Sequence, residues 1–154
     1  MTTRNLTAVT LAALVLCQAT PGRAQENDAT LQGAWAAESY VLKDGPTHRI
    51  AGRIFFTQTE WTVLFFVMDE QGEPRRGSGE GGTYNLHGND LMFSHLFNFS
   101  TGQEMPGLAA APLQLIARDV SEAVTEPSTI QVSGNQLTIF FPSGNRMTFT
   151  RSSR

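Results

Sequence analysis

Beyond residue 30 the apolar residues of this chain recur in short alternating runs. Strands are predicted at 33–42, 49–57, 60–68, 81–87, 90–99, 129–133, 136–141 and 146–151. All ten Phe, both Trp and both Tyr fall inside these runs, and enrichment in aromatic and β-branched residues is what a pleated, half-buried surface selects. The turns between them set the register. Gly88-Asn89 suits a two-residue hairpin loop with glycine first, which places Leu86 opposite Leu91 and Tyr84 opposite Phe93. Facing residues share one side of a sheet, so Tyr84, Leu86, Leu91, Phe93, His95 and Phe97 gather on one side. Gly134-Asn135 does the same for Ile130, Val132, Leu137, Ile139 and Phe141. A three-residue loop at Ser143-Gly144-Asn145 aligns Ile139 with Phe149 and Phe141 with Met147. A loop one residue longer or shorter would put the two apolar sides on opposite faces.

A turn at Gln58-Thr59 collects Ile54, Phe56, Trp61, Val63, Phe65 and Val67 on one side of the next hairpin. Its reverse side is also apolar, with Phe55, Leu64, Phe66 and Met68. An outer wall of that kind calls for a cover. Two covers suggest themselves. One is a short helix over 112–125, where Leu113, Ile116, Ala117, Val120 and Val124 fall near helical spacing behind Pro112. The other is a homodimer contact through Phe55, Leu64, Phe66 and Met68. The fold class expected is therefore all-β: an eight-stranded antiparallel up-and-down barrel with one short helix between strands 5 and 6.

Composition changes this picture only at the start of the chain. Arg4, an apolar run from Leu6 to Cys17 and the polar Gly22-Arg23-Ala24 make the three-part pattern of a secretory signal at residues 1–24. Residues 25–154 then form a single domain, which the length permits. Cys17 is the only cysteine, and bulky Leu16 before it disfavours lipid attachment. A periplasmic or secreted protein without that leader has no disulfide, so packing alone must hold it. Losing Arg4 and Arg23 leaves nine of the 11 basic residues against 14 acidic ones. That balance argues against nucleic acid as a partner, and no later segment is apolar enough for a membrane span.

Gly33-Ala34-Trp35 on the first strand and Arg151 at the end of the last resemble the signature of the calycin superfamily. More narrowly, the chain resembles the bacterial lipocalin-like domain proteins. The shared features are the Gly-x-Trp start, Gly52 leading an apolar strand, Gly-Thr-Tyr at 82–84, the Gly-Asn-Asp-Leu hairpin, His95 on the strand after it, and the terminal arginine. The resemblance implies a closed barrel in which Trp35 plugs one end and the Arg151 guanidinium stacks on its indole. The long 100–128 segment departs from the pattern.

Candidate chemistry follows from the expected lumen. An eight-stranded barrel has room for side chains or for one small ligand, and its predicted lining is apolar apart from Ser39, Tyr84 and His95. That points to a small, largely apolar molecule with one or two hydrogen-bonding groups, held by His95, Tyr84, Ser39, Trp61, Phe93 and Phe97. A neutral buried imidazole at His95 can donate from one nitrogen and accept at the other. Equally, it can be a core histidine satisfied by Tyr84 or a carbonyl. Two other function classes stand beside the binder. One is a barrel enzyme of the isomerase or cyclase kind, moving a proton with His95 or Tyr84. The other is an interaction or inhibitor module using the Phe55, Leu64, Phe66, Met68 flank. No metal or cofactor is expected: His48, His87 and His95 do not converge, and Asp69, Glu70 and Glu73 lack a calcium-loop spacing. The stretch RRGSGEGG at 75–82 lacks the lysine and following helix of a phosphate loop and reads as a mobile loop at the barrel mouth.

Overall fold

A computed structural model describes residues 31–152; the predicted leader lies outside the described residues. Nine strands follow one another: β1 (Gly33–Val41), β2 (Thr47–Phe56), β3 (Glu60–Met68), β4 (Pro74–His87), β5 (Asp90–Gly102), β6 (Ala111–Ala117), β7 (Val124–Ser133), β8 (Gln136–Phe140) and β9 (Arg146–Arg151). Each pairs antiparallel with its neighbours. Eight of them close a ring in the order β1-β2-β3-β4-β5-β7-β8-β9 and back to β1, with β6 added outside it. The described residues are therefore all-β, a closed eight-stranded antiparallel barrel with one extra strand.

The hairpins keep the registers their turns predict. Leu86 faces Leu91 and Tyr84 faces Phe93, Phe56 faces Trp61, and Ile130 faces Ile139. The β8–β9 loop differs. It comprises Pro142-Ser143-Gly144, with the Phe141 N–H donating to the Asn145 carbonyl at 2.9 Å. Proline suits the first corner of this turn, and Gly144 takes the left-handed conformation at φ +85° that ends it. The pairing slips by two residues, so Ile139 faces Met147 and Leu137 faces Phe149. A two-residue slip leaves every side chain on its expected face.

The expected helix over 112–125 is not formed. Residues 111–117 are β6, Val120–Glu122 is a single 3-10 turn, and Val124 opens β7. The cause is the length of β5. Its first half, 90–95, pairs with β7, while its second half, 97–102, runs past the ring and would leave a row of backbone groups bare. β6 pairs with that row, Phe97 opposite Ala117 and Phe99 opposite Leu115. The stretch 75–82 is likewise strand and not loop. Gly77, Gly79 and Gly81 face outward under aromatic rings: a Cβ on Gly79 would stand 2.1 Å from the Phe99 ring, and one on Gly81 would stand 2.3 Å from the Phe97 ring. With no helix over it, the outer wall of β2 and β3 stays open, and Phe55, Leu64 and Phe66 are 43%, 44% and 41% exposed.

One end of the barrel is plugged. Trp35 is fully buried there and donates its indole N–H to the Leu31 carbonyl at 2.8 Å. Arg151 sits opposite it across the β1–β9 seam, its guanidinium carbon 4.0 Å from the indole centroid and one Nη donating to the Gln32 carbonyl at 3.0 Å. Gly33, at φ +117°, leaves space for that guanidinium. Each hairpin tip at this end is tied to the next strand: the Tyr84 N–H donates to the Thr59 carbonyl, Ile130 to Asn89, and Arg151 to Asn135. At the opposite end the 103–110 segment crosses from β5 to the β1–β2 loop on the far side of the ring. Its Pro106 carbonyl accepts from His48 Nε2 at 3.0 Å. Arg76 donates to the Gln103 and Ala109 carbonyls at 2.6 and 2.7 Å, and Met105 and Leu108 pack on the core.

Trp35→Ala is expected to cost about 3–5 kcal/mol, the usual loss for a buried aromatic. Arg151→Ala is expected to cost about 1–2 kcal/mol, for a cation–π contact and one hydrogen bond. Urea unfolding followed by circular dichroism measures both, and equal costs would show that the stack does not depend on the indole plug.

Candidate functional site

Inward-facing residues of β1, β2, β3, β4, β5, β7, β8 and β9, with Ser143 of the β8–β9 loop, line a partly open cavity of about 190 Å³. Its walls are apolar: Ile54, Val63, Ile139 and Met147, with the rings of Trp61, Phe65, Phe93, Phe141 and Phe149. Trp61 packs on Phe93 at 4.3 Å between centroids and meets the His95 ring edge-on at 5.1 Å. The buried indole N–H of Trp61 has no acceptor among the described residues.

Three ionisable groups share one side of this cavity. His95 Nδ1 lies 3.0 Å from Glu80 Oε2, while the other Glu80 oxygen accepts from the Ser78 hydroxyl at 3.3 Å. With Nδ1–H held by the carboxylate, Nε2 is the acceptor nitrogen of the neutral ring. Glu126 enters from β7, directly opposite Phe93 and two pairs along the ladder from His95, which faces Val124. Burial pushes the Glu126 carboxyl above its ordinary value; His95 draws it back and Glu80 raises it further. Tyr40 completes the polar part. Its phenol, raised mainly by burial, accepts a hydrogen bond from the Asn145 amide at 2.8 Å. His95 and Glu126 also line a pocket on the outer surface, between β6 and β7, together with Asn98, Gln114 and Arg118. His95 and Glu126 thus face the lumen on one side and the outer surface on the other, where β5 leaves one partner for the other.

Of the six side chains expected on a ligand, His95, Trp61 and Phe93 line the cavity. Tyr84 points into the plugged end, where its hydroxyl donates to the Thr57 carbonyl at 2.7 Å and its ring packs edge-on against Phe56. Ser39 and Phe97 lie outside the lumen, and in each case a β-bulge is the reason. Glu38 is an extra residue of β1 against β9, so beyond it the alternation inverts. Ser39 turns out to the Thr148 hydroxyl, 2.6 Å away, and Tyr40 turns in. Leu96 is the extra residue in β5: His95 still faces Gly82, but Phe97 faces Gly81 on the outside and is 46% exposed. A Cβ on Gly82 would stand 1.9 Å from the Ser94 carbonyl, so the bulge needs glycine across from it.

Sequence reasoning missed Tyr40, Glu80 and Glu126. The two carboxylates had a signal. Stepping back by twos from Tyr84 reaches Gly82 and Glu80; stepping back by twos from Ile130 reaches Ser128 and Glu126. Both strands begin earlier than their apolar runs suggest. Among the described residues no three His, Cys, Asp or Glu side chains are placed to hold a metal ion. Asp69 is engaged within its own hairpin loop, accepting from the Gln71 and Glu73 N–H groups and from Arg75. No described helix is long and apolar enough to cross a membrane.

The molecule thus defines a class: a closed antiparallel barrel with a small, mostly apolar lumen carrying one imidazole and two carboxylates. No family model matches the chain, and comparison with curated proteins and with solved structures found no match.

The pH response of stability follows from Glu126. The folded state holds this proton more tightly than the unfolded chain does, so stability falls as pH rises from the ordinary carboxyl value of 4.5 through the native titration. Glu126→Gln fixes the neutral form. The variant is expected to melt higher than the parent at neutral pH, with the difference closing below the carboxylate range. Thermal melts across pH test this, and a variant that melts lower at neutral pH would show that the charge is net favourable.

Proposed function

We propose that this chain is a lipocalin-like protein, exported to the periplasm or beyond, that binds a small, largely apolar molecule inside the barrel. The observation that carries the reading is the lumen cavity. A well-packed core leaves few voids larger than water, whereas about 190 Å³ remains here between aromatic walls and a polar corner. An apolar cavity of about 150 Å³ accommodates a benzene ring, so the size suits one ring with a short tail. The Trp35–Arg151 stack and the closed ring agree with the family resemblance read from the sequence. Export rests on residues 1–24 alone, which lie outside the described residues.

Native mass spectrometry of the purified protein, with thermal shift against indole as a probe, tests the binder. Indole should raise the melting temperature. Val63→Phe, which fills the lumen, should abolish that rise while the variant stays folded by circular dichroism. Equal shifts in parent and variant would move the site elsewhere. Loss of the Trp61–His95 contact in His95→Ala should weaken the probe roughly three- to tenfold, since one polar or aromatic contact contributes about 1 kcal/mol.

A second reading is favoured by the open wall of β2 and β3: a contact between two copies through Phe55, Leu64, Phe66 and Met68. Phe66→Glu should turn a dimer into a monomer in sedimentation velocity, and a parent protein that is already monomeric at high concentration would end this reading.

A further inference from the structure

The lumen carries two carboxylates, Glu80 and Glu126, against a single imidazole, and no Lys or Arg is among the residues that line it. The arginines stand outside the lining, although the charge of Arg76 reaches Tyr40. Arg76 is held by the Gln103 and Ala109 carbonyls, and Arg118 lines the outer pocket and not the lumen. His95 Nδ1 lies 3.0 Å from Glu80 Oε2, whereas Glu126 makes no ion pair among the described residues and feels the imidazole only through space. Around these groups stand aromatic rings, Tyr40, Trp61, Phe65, Phe93 and Phe141, whose faces carry negative potential. Carboxylate and aromatic faces together favour a positively charged guest, by charge-assisted hydrogen bonding to the first and cation–π attraction to the second. They disfavour an anion on both counts.

From this arrangement we propose that the lumen selects a small organic ammonium ion: a protonated amine on a single-ring apolar body, its nitrogen at Glu126 and Glu80 and its ring among Trp61, Phe93 and Phe65. The proposal rests on the lumen-binding reading and adds the charge of the ligand to it. The lateral pocket, where His95 and Glu126 reach the outer surface, gives the charged head a wetted position while the ring is buried, so the ammonium is not stripped of all its water.

Three probes of one body separate the head groups: 2-phenylethylamine, 2-phenylethanol and phenylacetate, titrated by calorimetry at neutral pH into the parent, Glu126→Gln and Glu80→Gln. The amine should bind the parent about tenfold or more tighter than the alcohol, and phenylacetate should bind more weakly than the alcohol. Glu126→Gln should remove most of the amine's advantage and leave the alcohol within about twofold. Glu80→Gln, which frees His95, should reduce the amine less. Alcohol binding as tight as amine binding, or Glu126→Gln weakening both alike, overturns the charge selection and leaves the lumen reading standing. Failure of all three probes overturns the charge selection too; the lumen reading is then decided separately by the co-purifying mass and the Val63→Phe comparison.

Discussion

The seam between β1 and β9 is the contact on which the rest of the molecule depends. Every other neighbour pair in the ring except β5–β7 is a hairpin joined by a short loop, and such pairs form with little entropy lost in closing the chain. Joining β1 to β9 brings together residues more than a hundred positions apart, and it alone turns a curved sheet into a barrel without edges. Trp35 opposite Arg151 stands at one end of this seam. The indole fills the base of the core, its N–H is taken by Leu31, and the guanidinium covers its face while reaching the Gln32 carbonyl. With no disulfide among the described residues, that plug and the backbone ladder hold first and last strands together.

Much of this was legible along the chain because turn chemistry and alternation are local. Gly88-Asn89, Gln58-Thr59 and Gly134-Asn135 each fix a register, and each register is observed. What escaped has one kind of cause. A β-bulge inserts a residue without altering the composition around it, so nothing in the text between Ala37 and Tyr40 announces that Glu38 is extra, and nothing between His95 and Phe97 singles out Leu96. Ser39 and Phe97 therefore read as lumen residues, and Tyr40 did not. The segment 111–117 failed for a different reason. Its apolar residues satisfy a helical spacing, but the deciding factor is remote: the unpaired second half of β5 supplies a template that a helix cannot use.

Those bulges bear on the site as much as on the fold. His95 is the last inward residue of β5 before the strand steps out, and Tyr40 is the first inward residue of β1 after its own step. Their side chains meet the cavity where the regular barrel lattice is interrupted. Leu96 marks the point at which β5 passes from β7 to β6, and that handover opens the side pocket that reaches His95 and Glu126. The long β4–β5 hairpin also supports the 103–110 strap, which ties the far side of the mouth through His48 and Pro106. A single lengthened hairpin thus anchors both the strap and the outer pocket.

The polar corner is costly to maintain. A half-buried carboxylate with a raised proton affinity lowers the stability of the neutral-pH fold, and an indole N–H without an acceptor forfeits a hydrogen bond it had in water. A lumen evolved only for packing would replace Glu126 with an apolar side chain of similar size and fill the remaining volume, since paired burial of charge seldom stabilises more than hydrophobic packing. A cavity, an orphaned donor and an under-compensated carboxylate in one place are three separate costs to the folded state. Under the binding proposal, a guest in the lumen would fill the cavity and compensate the carboxylate. At the plugged end, by contrast, the Trp35 indole, the Arg151 guanidinium and the Tyr84 hydroxyl each have a carbonyl partner.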